Sequence, residues 1–158
     1  MAIHLRPLTA EDGEAAAAIF FDAVHRGAAD VYSAAQRRAW AGAAPSPTRW
    51  RKRFADVSGV AAEVNGEMAG FMTLDAAGHI DLAFVRSDLS GRGVGRAIYD
   101  RIEARARAEG IARLTTEASK KAKPFFARLG WQVDAEQTVV KEGIRLTNFR
   151  MSKPLVSE

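Results

Sequence analysis

The 158-residue sequence contains no cysteine. Without cysteine the chain cannot form a disulfide bond, use a thiolate as a nucleophile or bind a metal through sulfur. Its three histidines, His4, His25 and His79, are scattered and show none of the spacings that are typical of metal ligands. We therefore expect that no metal takes part in the function of this protein.

Long hydrophobic runs are lacking as well. The longest apolar run, residues 15–21, ends at Asp22, whereas a membrane-spanning helix needs about 20 apolar residues. The first seven residues lack the basic start and the long apolar segment of a secretory signal peptide. We therefore expect a protein that does not cross a membrane and that acts in the cytoplasm.

The rest of the composition is typical of a globular domain. Hydrophobic residues make up 47% of the chain and charged residues 27%, which suits a buried core under a charged surface. No repeat, low-complexity segment or linker divides the sequence, so we expect one domain over residues 1–158. The formal net charge of +4 favours an anionic partner, and nucleic acid, a phosphorylated cofactor and acidic lipid are all compatible with it.

Three helix-start signals in the first 50 residues predict three helices. A capping residue with a partner three positions later, or a serine followed by proline, is typical of a helix N-terminus. These signals are Thr9 with Asp12, Ser33 with Gln36, and Ser46 with Pro47. The first helix should run to about His25 and pack against a sheet.

From Val60 onward the pattern favours strands. Asn65-Gly66 between two apolar runs predicts a β-hairpin, and residues 79–85 alternate apolar and polar side chains, which predicts one half-buried strand. The rest of the sequence predicts, in chain order, a long helix over 94–109, a short strand over 113–117, a short helix over 119–129 that Ser119 caps, and a closing hairpin over 131–151. We therefore expect an α/β fold with a mixed, mostly antiparallel sheet and helices on both faces. The closing hairpin leaves an edge strand through which two copies could pair as a homodimer.

A glycine-rich loop joins the strand at 79–85 to the helix that begins near Val94. Gly91, Gly93 and Gly95 remove side chains at alternate positions, so backbone N–H groups can converge on an anion at the positive end of the helix dipole. A phosphate or pyrophosphate would fit there. The spacing is neither that of a Walker A loop nor that of a Gly-x-Gly-x-x-Gly fingerprint, and a tight turn is the alternative reading of these glycines.

Two segments resemble motifs of the GNAT superfamily of N-acetyltransferases. Residues 84–97 resemble its pyrophosphate loop, Gln/Arg-x-x-Gly-x-Gly/Ala, with Gly93 and Gly95 at the glycine positions and Ser90 in place of glutamine or arginine. Residues 118–131 resemble the second CoA motif, which commonly ends Phe-Tyr-x-x-x-Gly-Phe. The segments 32–40 and 146–149 are similar to those of a bacterial subgroup. The resemblance implies the GNAT fold, in which the sheet is splayed in its middle and acetyl-CoA lies between two strands.

The resemblance also implies which residues contact acetyl-CoA. The backbone of the strand before the loop should bind the pantetheine arm, the loop amides the pyrophosphate, and the second motif the opposite wall. The implied cofactor contacts are Phe84, Val85, Gly91, Arg92, Gly93, Val94, Gly95, Arg96, Ser119, Lys123 and Phe126. Phe126 stands where many relatives have a tyrosine that protonates the departing thiolate, so water, Ser119 or another group would supply that proton, or the thiolate would leave unprotonated.

The activity that this resemblance implies is acetyl transfer from acetyl-CoA to a primary amine of a small molecule or peptide, by direct attack in a ternary complex. Asp81 and Glu117 are the candidate bases for the amine proton, and a structural hydrogen bond or ion pair is the alternative role of each. The candidate acceptor-binding residues are Phe21, His25, Tyr32 and Trp40, which could equally be packing residues. Their aromatic character suggests an apolar or cationic acceptor.

Two other functions are compatible with the sequence. A basic nucleic-acid-binding module is suggested by Arg49, Arg51, Lys52 and Arg53 around Trp50 and by Arg101, Arg105 and Arg107. No recognised nucleic-acid motif is present, and the mixed charges of the helix at 94–109 argue against it. An acyl-CoA sensor without turnover is suggested by Phe126 alone.

Overall fold

The computed structural model describes residues 1–156, which form two four-stranded sheets and five α-helices. The strands are β1 (His4–Pro7), β2 (Gly59–Val64), β3 (Glu67–Thr73), β4 (His79–Ile80), β5 (Ala83–Val85), β6 (Arg113–Ser119), β7 (Gln132–Lys141) and β8 (Ile144–Pro154). The helices are α1 (Gly13–Asp22), α2 (Ala34–Ala41), α3 (Pro47–Arg53), α4 (Val94–Ala108) and α5 (Lys123–Arg128). Short 3₁₀ helices lie at Ala10–Asp12 and Ser87–Leu89, and a π-helical turn at Ala23–Gly27 extends α1.

The two sheets have the strand orders β1-β2-β3-β5 and β4-β6-β8-β7. The β4–β6 pair is parallel and the other pairs are antiparallel. Apolar side chains of α4 pack on one face of the first sheet, while those of α1 and α3 pack on the other. The predicted mixed, mostly antiparallel architecture with helices on both faces is therefore confirmed.

The prediction of one strand over residues 79–85 is wrong, because the chain changes sheets within it. β4 pairs with β6 in the second sheet and β5 pairs with β3 in the first. Two buried threonines stabilise the change. Thr73 exchanges hydrogen bonds with Leu82, whose N–H donates to Thr73 Oγ1 at 3.0 Å, and Thr116 Oγ1 donates to the Ile80 carbonyl at 2.7 Å.

The first two helix starts confirm the capping pairs predicted from the sequence. The Thr9 N–H donates to Asp12 Oδ2 at 2.8 Å, and the Gln36 N–H donates to Ser33 Oγ at 3.1 Å. Ser119 does not cap α5 directly. Its hydroxyl accepts from the Ala122 N–H at 3.0 Å, so it closes the turn that precedes the helix.

The buried stripe of α4 joins the first sheet to the end of the second. Val94, Ile98, Ile102 and Ala106 are at most 1% exposed. Next to them, Tyr99 donates to Glu103 at 2.7 Å and accepts from Trp131 Nε1 at 2.9 Å. Burial and the hydrogen bond to Glu103 raise the pKa of Tyr99, so its hydroxyl remains protonated at neutral pH.

The start of the chain is held by a partly buried ion pair. Arg6 donates two hydrogen bonds to Asp12, at 2.9 and 2.8 Å, and a third to Glu63 at 2.9 Å. Burial alone would raise the pKa of Asp12, but the hydrogen bonds from Arg6 and Thr9 outweigh it and hold that pKa below its ordinary value. The ionised carboxylate therefore stabilises the fold.

We predict that Asp12→Asn lowers the free energy of unfolding by about 1 to 2 kcal/mol at pH 7, because it weakens a charged, bidentate hydrogen bond. The folded-state pKa is lowered, so this stabilisation is present above the unfolded-state pKa of about 4 and is lost as the pH falls through the folded-state pKa. Urea unfolding at several pH values should show wild type and variant converging in acid. Asp56→Asn, at an exposed aspartate, is the matched control, and a difference that persists in acid would contradict the prediction.

Candidate functional site

The two sheets diverge between β5 and β6, beyond the end of β4. A cavity of about 160 Å³ lies in this gap. Its lining includes Trp40, Ala83, Phe84, Val85, Ser87, Ser90, Gly95, Ser119, Lys121, Ala122, Phe125 and Phe126. Five of the eleven predicted cofactor contacts therefore border one cavity: Phe84, Val85, Gly95, Ser119 and Phe126.

One edge of β5 faces the gap. The Arg86 N–H donates to the Ala69 carbonyl at 2.8 Å, and the Leu82 carbonyl accepts from the Thr73 N–H at 2.9 Å. Because backbone bonds in an antiparallel pair involve alternate residues, Phe84 also pairs with β3, while Ala83 and Val85 direct their N–H and C=O groups towards the gap. Of the two strand residues predicted to bind the pantetheine arm through their backbone, Val85 directs its backbone groups towards the gap. The backbone of Phe84 pairs with β3 instead, and Phe84 borders the gap with its side chain.

The glycine loop ends at the first turn of α4, beside the same cavity. Gly91 and Gly93 have φ values of +75° and +88°, a region in which side chains are rarely accommodated. The Ala97 N–H donates to the Gly93 carbonyl at 3.0 Å, so the amides of Val94, Gly95 and Arg96 precede the first intrahelical bond and can bind an anion. A Cβ atom at Gly95 would lie 3.2 Å from Phe125 Cε1, so the absence of a side chain keeps this cradle open.

The second motif forms the opposite wall of the gap. Phe126 is 1% exposed and packs its ring 4.8 Å from that of Trp131. Lys123, a predicted cofactor contact, does not line this cavity and has its Nζ 4.2 Å above the ring of Phe149. Lys121 instead lines the gap, with its Nζ 3.0 Å from Asp30. Which lysine faces the gap depends on the turn that Ser119 closes.

A larger cavity of about 490 Å³ adjoins the first, and Trp40, Phe84 and Ser119 line both. Its aromatic lining consists of Phe20, Phe21, Tyr32, Trp40, Trp50 and Phe84. Its polar and charged lining includes Arg38, Arg49, Arg53, His79, Asp81, Glu117, Ser119, Lys141, Glu142 and Asn148. Both candidate bases and three of the four candidate acceptor residues thus border one space.

His25 is the candidate acceptor residue that lies outside this cavity. Its Nε2 is 2.8 Å from the Gly42 carbonyl, and its ring packs against Phe21 with centroids 4.4 Å apart. His25 therefore has the packing role that the sequence left open.

Tyr32 has a structural role at the edge of the cavity. Its hydroxyl donates to the Thr147 carbonyl at 2.6 Å and accepts from the Lys120 N–H at 2.9 Å. Burial raises the pKa of Tyr32, so the hydroxyl stays protonated and both bonds persist at neutral pH. The ring lies edge-on to Trp40, with centroids 5.6 Å apart, and this contact holds Trp40 between the two cavities.

The two candidate bases differ in their hydrogen bonds. Asp81 Oδ2 accepts from Arg53 Nη2 at 2.7 Å, which gives Asp81 the ion pair that was its alternative role. Glu117 is exposed to the cavity and accepts a longer bond of 3.3 Å from Gln137 Nε2. Glu117 is therefore the carboxylate with more capacity to accept a further hydrogen bond.

The arginines that suggested nucleic-acid binding lie mostly in ion pairs. Arg53 pairs with Asp81 at 2.7 Å, and Arg51 lies 4.0 Å from Glu14. On α4, Arg105 pairs with Glu109 and Arg107 with Glu103. These pairs break up the positive surface that a nucleic-acid backbone would need.

Residues 1–156 contain no group of three or more His, Asp or Glu side chains that is suited to holding a metal ion. No helix in the same part of the chain is long and apolar enough to span a membrane.

Comparisons with known proteins agree with this geometry. The family model of the acetyltransferase (GNAT) domain matches residues 28–153. The chain is similar to YafP of Escherichia coli, an uncharacterized N-acetyltransferase, with 34% identity over 149 residues that make up 94% of each protein. It is also similar to a GCN5-related N-acetyltransferase from Rhodopseudomonas palustris, with a TM-score of 0.89, 36% identity and coverage of 98% of this chain and 97% of that one.

A more distant structure has the same fold with a ligand bound. The phosphinothricin acetyltransferase of Sinorhizobium meliloti was solved in complex with acetyl-CoA, and it matches with a TM-score of 0.74, 20% identity and coverage of 98% of this chain and 89% of that one. The fold and the family match together define an acyltransferase. The chain belongs to the GNAT superfamily of N-acetyltransferases.

Proposed function

We propose that this protein transfers the acetyl group of acetyl-CoA to a primary amine of a small molecule or peptide, which attacks directly in a ternary complex. The observation that carries the proposal is the pair of adjoining cavities. One lies beside the glycine loop and the other contains the candidate bases, and Trp40, Phe84 and Ser119 line both. An amine bound in the larger cavity would therefore lie next to a thioester bound in the smaller one, and both would be inside the protein during the transfer.

The smaller cavity suits CoA through backbone groups. The loop amides from Val94 to Arg96 would bind the pyrophosphate, and the open edge of β5 would bind the pantetheine arm. Acetyl-CoA would supply an activated thioester as the acetyl donor. The Val85 N–H, directed towards the gap, would stabilise the negative charge that develops on the thioester oxygen.

Glu117 is the proposed general base. Its carboxylate faces the larger cavity two residues before Ser119 on β6, on the same face of the strand. The amine must lose a proton to attack, and Glu117 would accept that proton directly or through water. Asp81, which accepts a hydrogen bond from Arg53, would hold the Arg53 side chain at the wall of the larger cavity and so help to position the acceptor.

Ser119 is the proposed partner of the departing sulfur. Its Oγ accepts from the Ala122 N–H, which leaves the hydroxyl hydrogen free to donate towards the point where the cavities meet. Phe126 has no hydroxyl, and that of Tyr99 donates to Glu103. Ser119 would therefore stabilise the thiolate by a hydrogen bond, and water would provide the proton.

The larger cavity would hold the acceptor. Its volume of about 490 Å³ lies within the usual range for small-molecule sites. The rings of Phe20, Trp40 and Phe84 form a cluster with centroids 5.0 to 6.2 Å apart, which favours an acceptor with an apolar or cationic body.

The first prediction concerns the cofactor. Calorimetric titration should show that wild type binds acetyl-CoA and that Gly95→Glu weakens binding by about 100-fold or more, because a carboxylate in the cradle repels the pyrophosphate by several kcal/mol. Because a Cβ atom at Gly95 would lie 3.2 Å from Phe125 Cε1, Phe125 must shift, and the thermal midpoint of the variant is measured alongside to show that the fold survives. Ala104→Glu, at an exposed position of the same helix, adds the same charge and should change affinity by less than about twofold. Equal losses in both variants, or no binding by wild type, would refute the assignment.

The second prediction separates the two carboxylates. With an amine that wild type acetylates, Glu117→Gln should lower kcat/KM by about 10²- to 10³-fold, because the base is lost. Asp81→Asn should lower kcat/KM by less than about tenfold, since it only weakens the contact with Arg53. Steady-state kinetics from pH 5.5 to 9 measures both effects. A larger loss in Asp81→Asn would transfer the role of base to Asp81.

A further inference from the structure

The side chain of Asn148 on β8 has an unsatisfied hydrogen-bond acceptor. Its Oδ1 is shielded from solvent and has no hydrogen-bond partner within residues 1–156. Buried polar atoms in proteins are almost always paired, because a shielded acceptor without a donor destabilises the fold. An exception that borders a cavity indicates a partner that arrives with a ligand.

Asn148 lies among the proposed catalytic residues. It lines the larger cavity and is directly opposite Ser119 on β6 and Gln137 on β7. Side chains directly opposite each other in neighbouring strands lie on the same face about 5 Å apart, and diagonal neighbours lie within about 8 Å. Glu117 is such a diagonal neighbour, so the side chains of Asn148 and Glu117 lie close together on the sheet face that borders the larger cavity.

Two adjacent acceptors select for a ligand with two donors. A neutral primary amine has two N–H groups and a lone pair, and its protonated form has three N–H groups. A hydroxyl has a single donor, and a neutral secondary amine also has one. A primary amine therefore matches this pair of oxygens better than either of the other nucleophiles.

We propose that Asn148 positions the acceptor amine and makes the site selective for primary amines, an inference that rests on the function proposed above. One N–H of the neutral amine donates to Asn148 Oδ1. As the nitrogen lone pair forms the C–N bond, Glu117 accepts the other proton of that nitrogen, and the electron pair of the C–S bond leaves with the sulfur as thiolate. Water protonates the thiolate, and the hydroxide that this leaves takes the proton from Glu117. The N–H held by Asn148 is the hydrogen that remains on the amide product.

The test begins with a screen of wild type against a panel of primary amines. The panel consists of amino acids, polyamines, aromatic amines and dipeptides, and the thiol of released CoA is the readout. For each amine that is acetylated, its N-methyl derivative and the corresponding alcohol are measured as matched compounds. Wild type should prefer the primary amine by at least about tenfold in kcat/KM, the effect of one hydrogen bond.

Two variants then isolate the role of Asn148. Asn148→Leu keeps the volume and removes the unpaired acceptor, so the thermal midpoint should stay the same or rise. The KM for the amine should increase about tenfold, the KM for acetyl-CoA should change less than about twofold, and the preference over the N-methyl derivative should disappear. Asn148→Asp retains an acceptor oxygen and should restore the preference.

Two results would overturn the inference. They are an unchanged KM for the amine in Asn148→Leu and a clear fall in its thermal midpoint, which would show that Asn148 has a structural partner. Failure of the proposed function differs from these, because wild type would then show no acetyl-CoA binding by calorimetry or would acetylate no primary amine of the panel.

Discussion

The site depends on the change of sheets at Asp81 and Leu82. A backbone that leaves one ladder for another would expose unpaired polar groups, each costing about 1 to 3 kcal/mol when buried. Here Thr73 bonds to Leu82 and Thr116 bonds to the Ile80 carbonyl, so the change leaves these groups satisfied. Because β4 and β5 then lie in different sheets, the gap between β5 and β6 is a consequence of the fold itself, and the open edge of β5 follows from it.

The other parts of the site are arranged around this gap by two anchors. Tyr32 attaches the N-terminal helices to β8 and to the turn after β6, which places Trp40 between the two cavities. Lys153 on β8 donates to Glu103 on α4 at 2.7 Å, and Tyr99 links the same glutamate to Trp131. Burial alone would raise the pKa of Glu103, but the hydrogen bonds from Lys153 and Tyr99 lower it, so Glu103 stays ionised. These contacts hold the glycine loop and the larger cavity on opposite sides of one gap.

Local signals in the sequence predicted local structure well. Capping pairs, Asn65-Gly66 and the apolar stripe of α4 each involve residues within about four positions, where spacing determines contact. The change of sheets at Asp81 was missed because the alternating pattern of residues 79–85 is the same whether one strand or two partners are involved. The surroundings of Lys121, His25 and Asn148 depend on residues distant in sequence. Neither the lysine that faces the gap nor the unpaired amide oxygen of Asn148 could therefore be identified from spacing.

CoA binding in the gap between β5 and β6 is the central proposal. The most direct test is an NMR titration of ¹⁵N-labelled protein with acetyl-CoA, which reports every backbone amide at once. We expect the largest shifts to fall on Val85 and on the amides of residues 91–96, with smaller shifts at Ser119 and Lys121. Shifts confined to the arginine-rich helix α3, or scattered without a cluster on either side of the gap, would contradict it.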